Sequence, residues 1–85
     1  MKHATPVALD ALEPLLAELR KLDGIVERKR GVFYRKSQAM LHFHEDPAGF
    51  FADVRLPPGW VRLPANTAAE RRRLVKELRA ALSAS

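Results

Sequence analysis

At 85 residues, 47% hydrophobic and 29% charged, the chain has material for one small core and too little left over for a second. It contains no cysteine, which excludes disulfides, thiolate zinc sites, iron–sulfur ligation and cysteine nucleophiles. The net charge of +5 comes from 15 basic and 10 acidic side chains, a balance that favours solubility and anionic partners without selecting one.

The segment MKHATPVALD lacks the long apolar run of a secretory signal, and nowhere does an apolar stretch approach the roughly 18 residues of a membrane helix. A cytoplasmic location without membrane partners is therefore expected. DALEPLLAELRKLDG predicts the first helix, over about 11–22. Asp10 and Glu13 read as a capping box, Pro14 sits in the first turn, and Gly24 follows as the stop. Leu12, Leu15, Leu16 and Leu19 fall on one face at helical spacing. Thr5 and Pro6 have the character of a cap for a short extra turn ahead of it.

From Ile25 the hydrophobic period changes to two. Turn residues at Arg30-Gly31, Lys36-Ser37, Asp46-Pro47-Ala48-Gly49 and Pro57-Pro58-Gly59 divide the segment into strands near 25–28, 32–35, 39–45, 50–55 and 60–63. The first two also fit one bent strand with a bulge at Gly31. Thr67 and Glu70 form a second capping box, and Leu74, Val75, Leu78, Ala81 and Leu82 give the last helix its apolar stripe. The opposite side of that helix carries Arg72, Lys76 and Arg79 as a basic row, the candidate anion contacts.

Helix, strands, helix is an α+β order. The expected architecture has two layers, an antiparallel four- to five-stranded meander with both terminal helices on one sheet face, all within a single domain spanning 1–85. The core is expected to hold Leu12, Leu16, Leu19, Val32, Leu41, Phe43, Val54, Leu74, Leu78 and Leu82. The other sheet face is left for solvent or a partner.

The register of the central hairpin decides what that face displays. A four-residue loop at 46–49 pairs Glu45 with Phe50, His44 with Phe51, Phe43 with Ala52, His42 with Asp53, Leu41 with Val54 and Met40 with Arg55. A slip by one residue would mix apolar and polar side chains on both faces. The open face then carries Met40, His42, His44, Phe51, Asp53 and Arg55, the candidate ligand or partner face. His42, His44 and Asp53 are the candidate metal ligands, and His42 oriented by Asp53 has the make-up of a general base. The plainer reading is a cross-strand hydrogen bond on a polar face, and it is the one preferred from sequence.

Other chemistry is thinner. No glycine-rich phosphate loop, G-x-S-x-G or H-E-x-x-H sequence occurs, Ser37 lies in a turn, and no catalytic residue or cofactor is expected. Trp60 reads as a core plug at a strand start in preference to a stacking platform beside Arg55 and Arg62. The stretch GVFYRKSQAMLHFHEDPAGFFADVRLPPGW with its closing helix resembles, in layout, the central portion of small bacterial proteins of the YdhG-like and YjbR-like groups. That resemblance covers about the last two-thirds of the chain and implies an α+β domain, with no functional residues to carry over. The expected function is a non-enzymatic binding module, meeting a protein partner or its own copy as a homodimer through the open sheet face. Nucleic-acid binding by the basic helix row and a metal-dependent or acid–base activity at the histidines are the alternatives.

Overall fold

The computed structural model describes residues 2–84. Its elements in chain order are β1 (Lys2–His3), α1 (Pro6–Ala11), α2 (Glu13–Arg20), β2 (Val26–Lys29), β3 (Val32–Arg35), β4 (Gln38–Asp46), β5 (Gly49–Leu56), β6 (Gly59–Pro64) and α3 (Ala68–Ser83). Strands β2 to β6 form an antiparallel meander in sequence order. The short β1 lies against β4 through Lys2 with Glu45 and His3 with His44, beyond the last residue of β4 that pairs with β3. The α+β architecture read from sequence is the one observed, with this sixth strand added.

The N-terminal helical region departs from the expected single helix. Proline has no N–H to give the carbonyl four residues back, and its ring crowds that carbonyl. Pro14 accordingly breaks the helix at Leu12, whose φ and ψ are −90° and −2°. Two short helices result, and the first is capped by Thr5, whose Oγ1 accepts from the Ala8 N–H at 3.4 Å. Asp10 and Glu13 form no capping box. Asp10 instead meets Arg30 at 2.8 Å, and Glu13 meets Arg20 at 3.0 Å.

The box at the start of α3 does form. Glu70 N–H donates to Thr67 Oγ1 at 3.1 Å, and Thr67 N–H donates to Glu70 Oε1 at 3.0 Å. Asn66 just ahead of it grips β5, accepting from Phe50 N–H at 2.7 Å and donating to Phe50 O at 3.3 Å. This brace fixes where α3 leaves the sheet. Its buried Leu74 and Leu78 meet Leu12, Leu16 and Leu19 from the N-terminal helices and Leu41, Phe43, Ala52, Val54 and Leu63 from the sheet.

Residues 25–35 form two strands, not one bent strand. Their pairing slips between Glu27 and Lys29, and Gly31 between them has φ +79°, a region that side-chain-bearing residues rarely occupy. A Cβ there would also stand 2.6 Å from Leu9 Cδ2. Phe33, 1% exposed, takes the core position expected of Val32, which is half-buried beside His42 on the other face.

Candidate metal centre on the open sheet face

The hairpin of β4 and β5 has the register argued from its sequence for Leu41–Val54, His42–Asp53, Phe43–Ala52, His44–Phe51 and Glu45–Phe50. Alternation along β4 turns Leu41 and Phe43 into the core and His42 and His44 to the opposite face. Met40 breaks the alternation. Phe33 pairs with Leu41 while Tyr34 pairs with Ala39, so Met40 is an extra residue in a bulge. It turns inward and is 4% exposed, which removes it from the open face where strict alternation put it.

His42 and Asp53 are register partners, yet the close contact is diagonal: His44 Nε2 lies 2.9 Å from Asp53 Oδ2. Both carboxylate oxygens are also held by Arg62 on β6, with Nε to Oδ1 at 2.7 Å and Nη2 to Oδ2 at 2.8 Å. This bidentate guanidinium is the main cause of a lowered Asp53 pKa, with His44 and His42 adding to it. Asp53 is therefore an ionised orienting group with its oxygens committed. The sequence reading offers Asp53 as a candidate ligand while preferring a cross-strand hydrogen bond with His42; the carboxylate is instead engaged by Arg62 and lies close to His44.

A third imidazole comes from an unexpected strand. β1 brings His3 over His44, ring centroids 4.9 Å apart and stacked, and 5.8 Å from the His42 ring. His42 and His44 themselves meet edge to face at 4.8 Å. Together the three residues offer one ring nitrogen each, all within 4.8 Å of one another. Tetrahedral zinc with metal–nitrogen bonds of about 2.0–2.1 Å sets its nitrogens roughly 3.4 Å apart, so the rings would have to draw closer to hold it.

The burial of the His42 and His44 nitrogens is the unusual feature. His44 is 8% exposed; neither of its ring nitrogens, nor Nδ1 of His42, makes a hydrogen bond among the described residues. The Asp53 oxygen lies 2.9 Å from His44 Nε2 without the alignment of a hydrogen bond. Burying polar atoms without partners is costly, and in native proteins such atoms are accounted for by an ordered water, an ion or a functional role. Burial, then the neighbouring His44, holds the His42 pKa below its ordinary value. The neutral imidazole so favoured is the form that binds metal.

Around this centre the other expected face residues take distinct places. Phe51 is half-buried opposite His44. Arg55 lies over Trp60, its guanidinium carbon 4.6 Å from the ring centroid, and donates from Nε to Ala39 O at 2.9 Å. Trp60 is not a core plug. It sits on the edge strand 44% exposed, with its ring 5.2 Å from that of His42. Arg72, Lys76 and Arg79 are exposed on α3, in the other layer of the molecule and away from the histidines.

Sequence reasoning missed His3 because the signal for β1 is two residues long. Its only mark is a histidine at the start of the chain and a second pair in LHFHED. No protein-family model, curated protein or solved structure matches this chain. Among the described residues no helix is long and apolar enough to cross a membrane.

Proposed function

We propose that this protein is a small metal-binding module whose open sheet face holds a divalent transition ion on His3, His42 and His44. One observation carries the reading: three imidazoles offer ring nitrogens within 4.8 Å of one another, and Nδ1 of His42 and both nitrogens of His44 are buried with no hydrogen-bond partner among the described residues. Imidazole ligands without thiolates suit zinc, copper, nickel or iron, and zinc commonly takes three protein ligands with a fourth position open. With an ion in place, a small rotation of the His44 ring would let Nε2–H donate to the Asp53 oxygen 2.9 Å away and leave Nδ1 for the metal, the carboxylate–histidine–metal arrangement that fixes ring orientation. Arg62 holds that carboxylate in place.

Equilibrium dialysis of tag-free protein against zinc tests the assignment. The expected result is stoichiometric retention by the parent, loss in His44→Ala, and affinity weakened by about 10–100-fold in Asp53→Asn, the usual effect of removing an orienting partner. Equal retention by parent and His44→Ala contradicts the reading.

A second reading, binding of a protein partner or of a second copy as a homodimer, is supported by Trp60 and Val61, which are 44% and 40% exposed on the edge strand β6. A monomer mass independent of concentration in sedimentation equilibrium would exclude the homodimer. A change to the dimer mass at micromolar protein is its expected signature.

A further inference from the structure

The histidine cluster does not stand on a flat surface. A cavity of about 310 Å³ opens beside it, with His3 and His42 in its wall and Leu9, Val32, Tyr34 and Lys29 among the other lining residues. Its size is at the lower end of small-molecule sites, and its wall joins apolar side chains to basic and hydroxyl-bearing ones. Arg30 also borders it but is engaged by Asp10 at 2.8 Å and Glu13 at 3.4 Å. Lys29 has no ion-pair partner among the described residues, and no carboxylate lines the cavity.

We infer that this cavity receives a small organic anion, a carboxylate or phosphate ester, whose oxygen takes the open position of the metal while its apolar body lies against Leu9 and Val32. The inference rests on the metal reading. Three neutral imidazoles leave the charge of a divalent ion uncompensated, and the nearby carboxylate, Asp53, is already held in both oxygens by Arg62. An anion is thus the complement the centre lacks. Lys29, in the wall of the same cavity, supplies a second positive charge.

Cobalt(II) serves as the probe, because its visible absorption reports both its own binding and any change in coordination. Tag-free protein is loaded with cobalt(II) and titrated with benzoate, phenyl phosphate and acetate. The expected result is a saturable spectral change with benzoate or phenyl phosphate at concentrations at least tenfold below those needed for acetate. Benzoate acting alone assigns a carboxylate, and phenyl phosphate alone a phosphate ester. Lys29→Met is expected to weaken the response at least tenfold while leaving cobalt affinity unchanged. Cobalt binding with no response to any of the three anions, equal responses to acetate and the aromatic anions, or an unaltered response in Lys29→Met overturns the inference and leaves the metal reading intact. Absence of any cobalt site in the parent overturns both.

Discussion

Burial is the first cause of the lowered pKa of His42, followed by the repulsion of His44; Asp53 opposes the shift, while His3 and Arg62 add to it. The unfolded imidazole titrates near about 6.5, so between that pH and the lower native value the unfolded chain binds a proton that the native chain does not. Stability contributed by neutral His42 is therefore complete above about pH 6.5 and is lost as pH falls from there through the native pKa. The lowered carboxylates, Asp53 among them, act only below about pH 4.5. Urea denaturation of metal-free protein at pH 7.5 and pH 5.5 is expected to show a loss of stability at the lower pH, and His42→Gln is expected to reduce that loss. An identical loss in the variant would place its origin elsewhere. On the other face of the same strand, Phe43 is 2% exposed in the core. Phe43→Ala is expected to cost about 3–5 kcal/mol, the range for removing a buried ring, and a change within about 0.5 kcal/mol, typical of a surface site, would contradict its placement.

Among the elements, the two sequence capping boxes illustrate when a local signal decides and when it is overruled. At α3 nothing competes, and Thr67 and Glu70 close the box reciprocally. Thr67→Ala is expected to cost about 0.5–2 kcal/mol by thermal or urea unfolding. At the N-terminal helices Pro14 intervenes and Asp10 ends up inside α1 with its carboxylate on Arg30. Asp10→Ala should accordingly change stability by no more than the about 0.5 kcal/mol of an ordinary surface site; a loss as large as that of Thr67→Ala would restore the capping role. The hairpin register was legible because one shift would have mixed polar and apolar side chains along both strands. The bulge at Met40 was not, since an extra residue in a ladder leaves the composition of the strand unchanged. Nor was β1, whose placement depends on backbone pairing with β4 and on Ala4 N–H donating to Phe43 O at 3.1 Å. Trp60 misled for a related reason: its large apolar ring suits a core, but its position opposite Arg55 on the edge strand turns it to the open face.

At the scale of the whole molecule, the core and the candidate site share one hairpin. Leu41, Phe43, Ala52 and Val54 anchor β4 and β5 to the helices, and the residues between them project the histidines and Asp53 outward. This division lets a rigid scaffold hold the centre, while His3 arrives on a two-residue strand with both side chains exposed. An ion bound across His3, His42 and His44 would therefore tie the N-terminal strand to the sheet and, by binding the native state alone, raise its stability in proportion to the logarithm of metal concentration over Kd. The most direct test is calorimetric titration of tag-free protein with zinc at neutral pH, on the parent and on His3→Ala, His42→Ala and His44→Ala. The expected result is saturable 1:1 binding of micromolar or tighter affinity in the parent, lost or greatly weakened in each variant. Absence of saturable heat in the parent, with equilibrium dialysis confirming no zinc retained, or binding that survives all three substitutions, would contradict the metal centre.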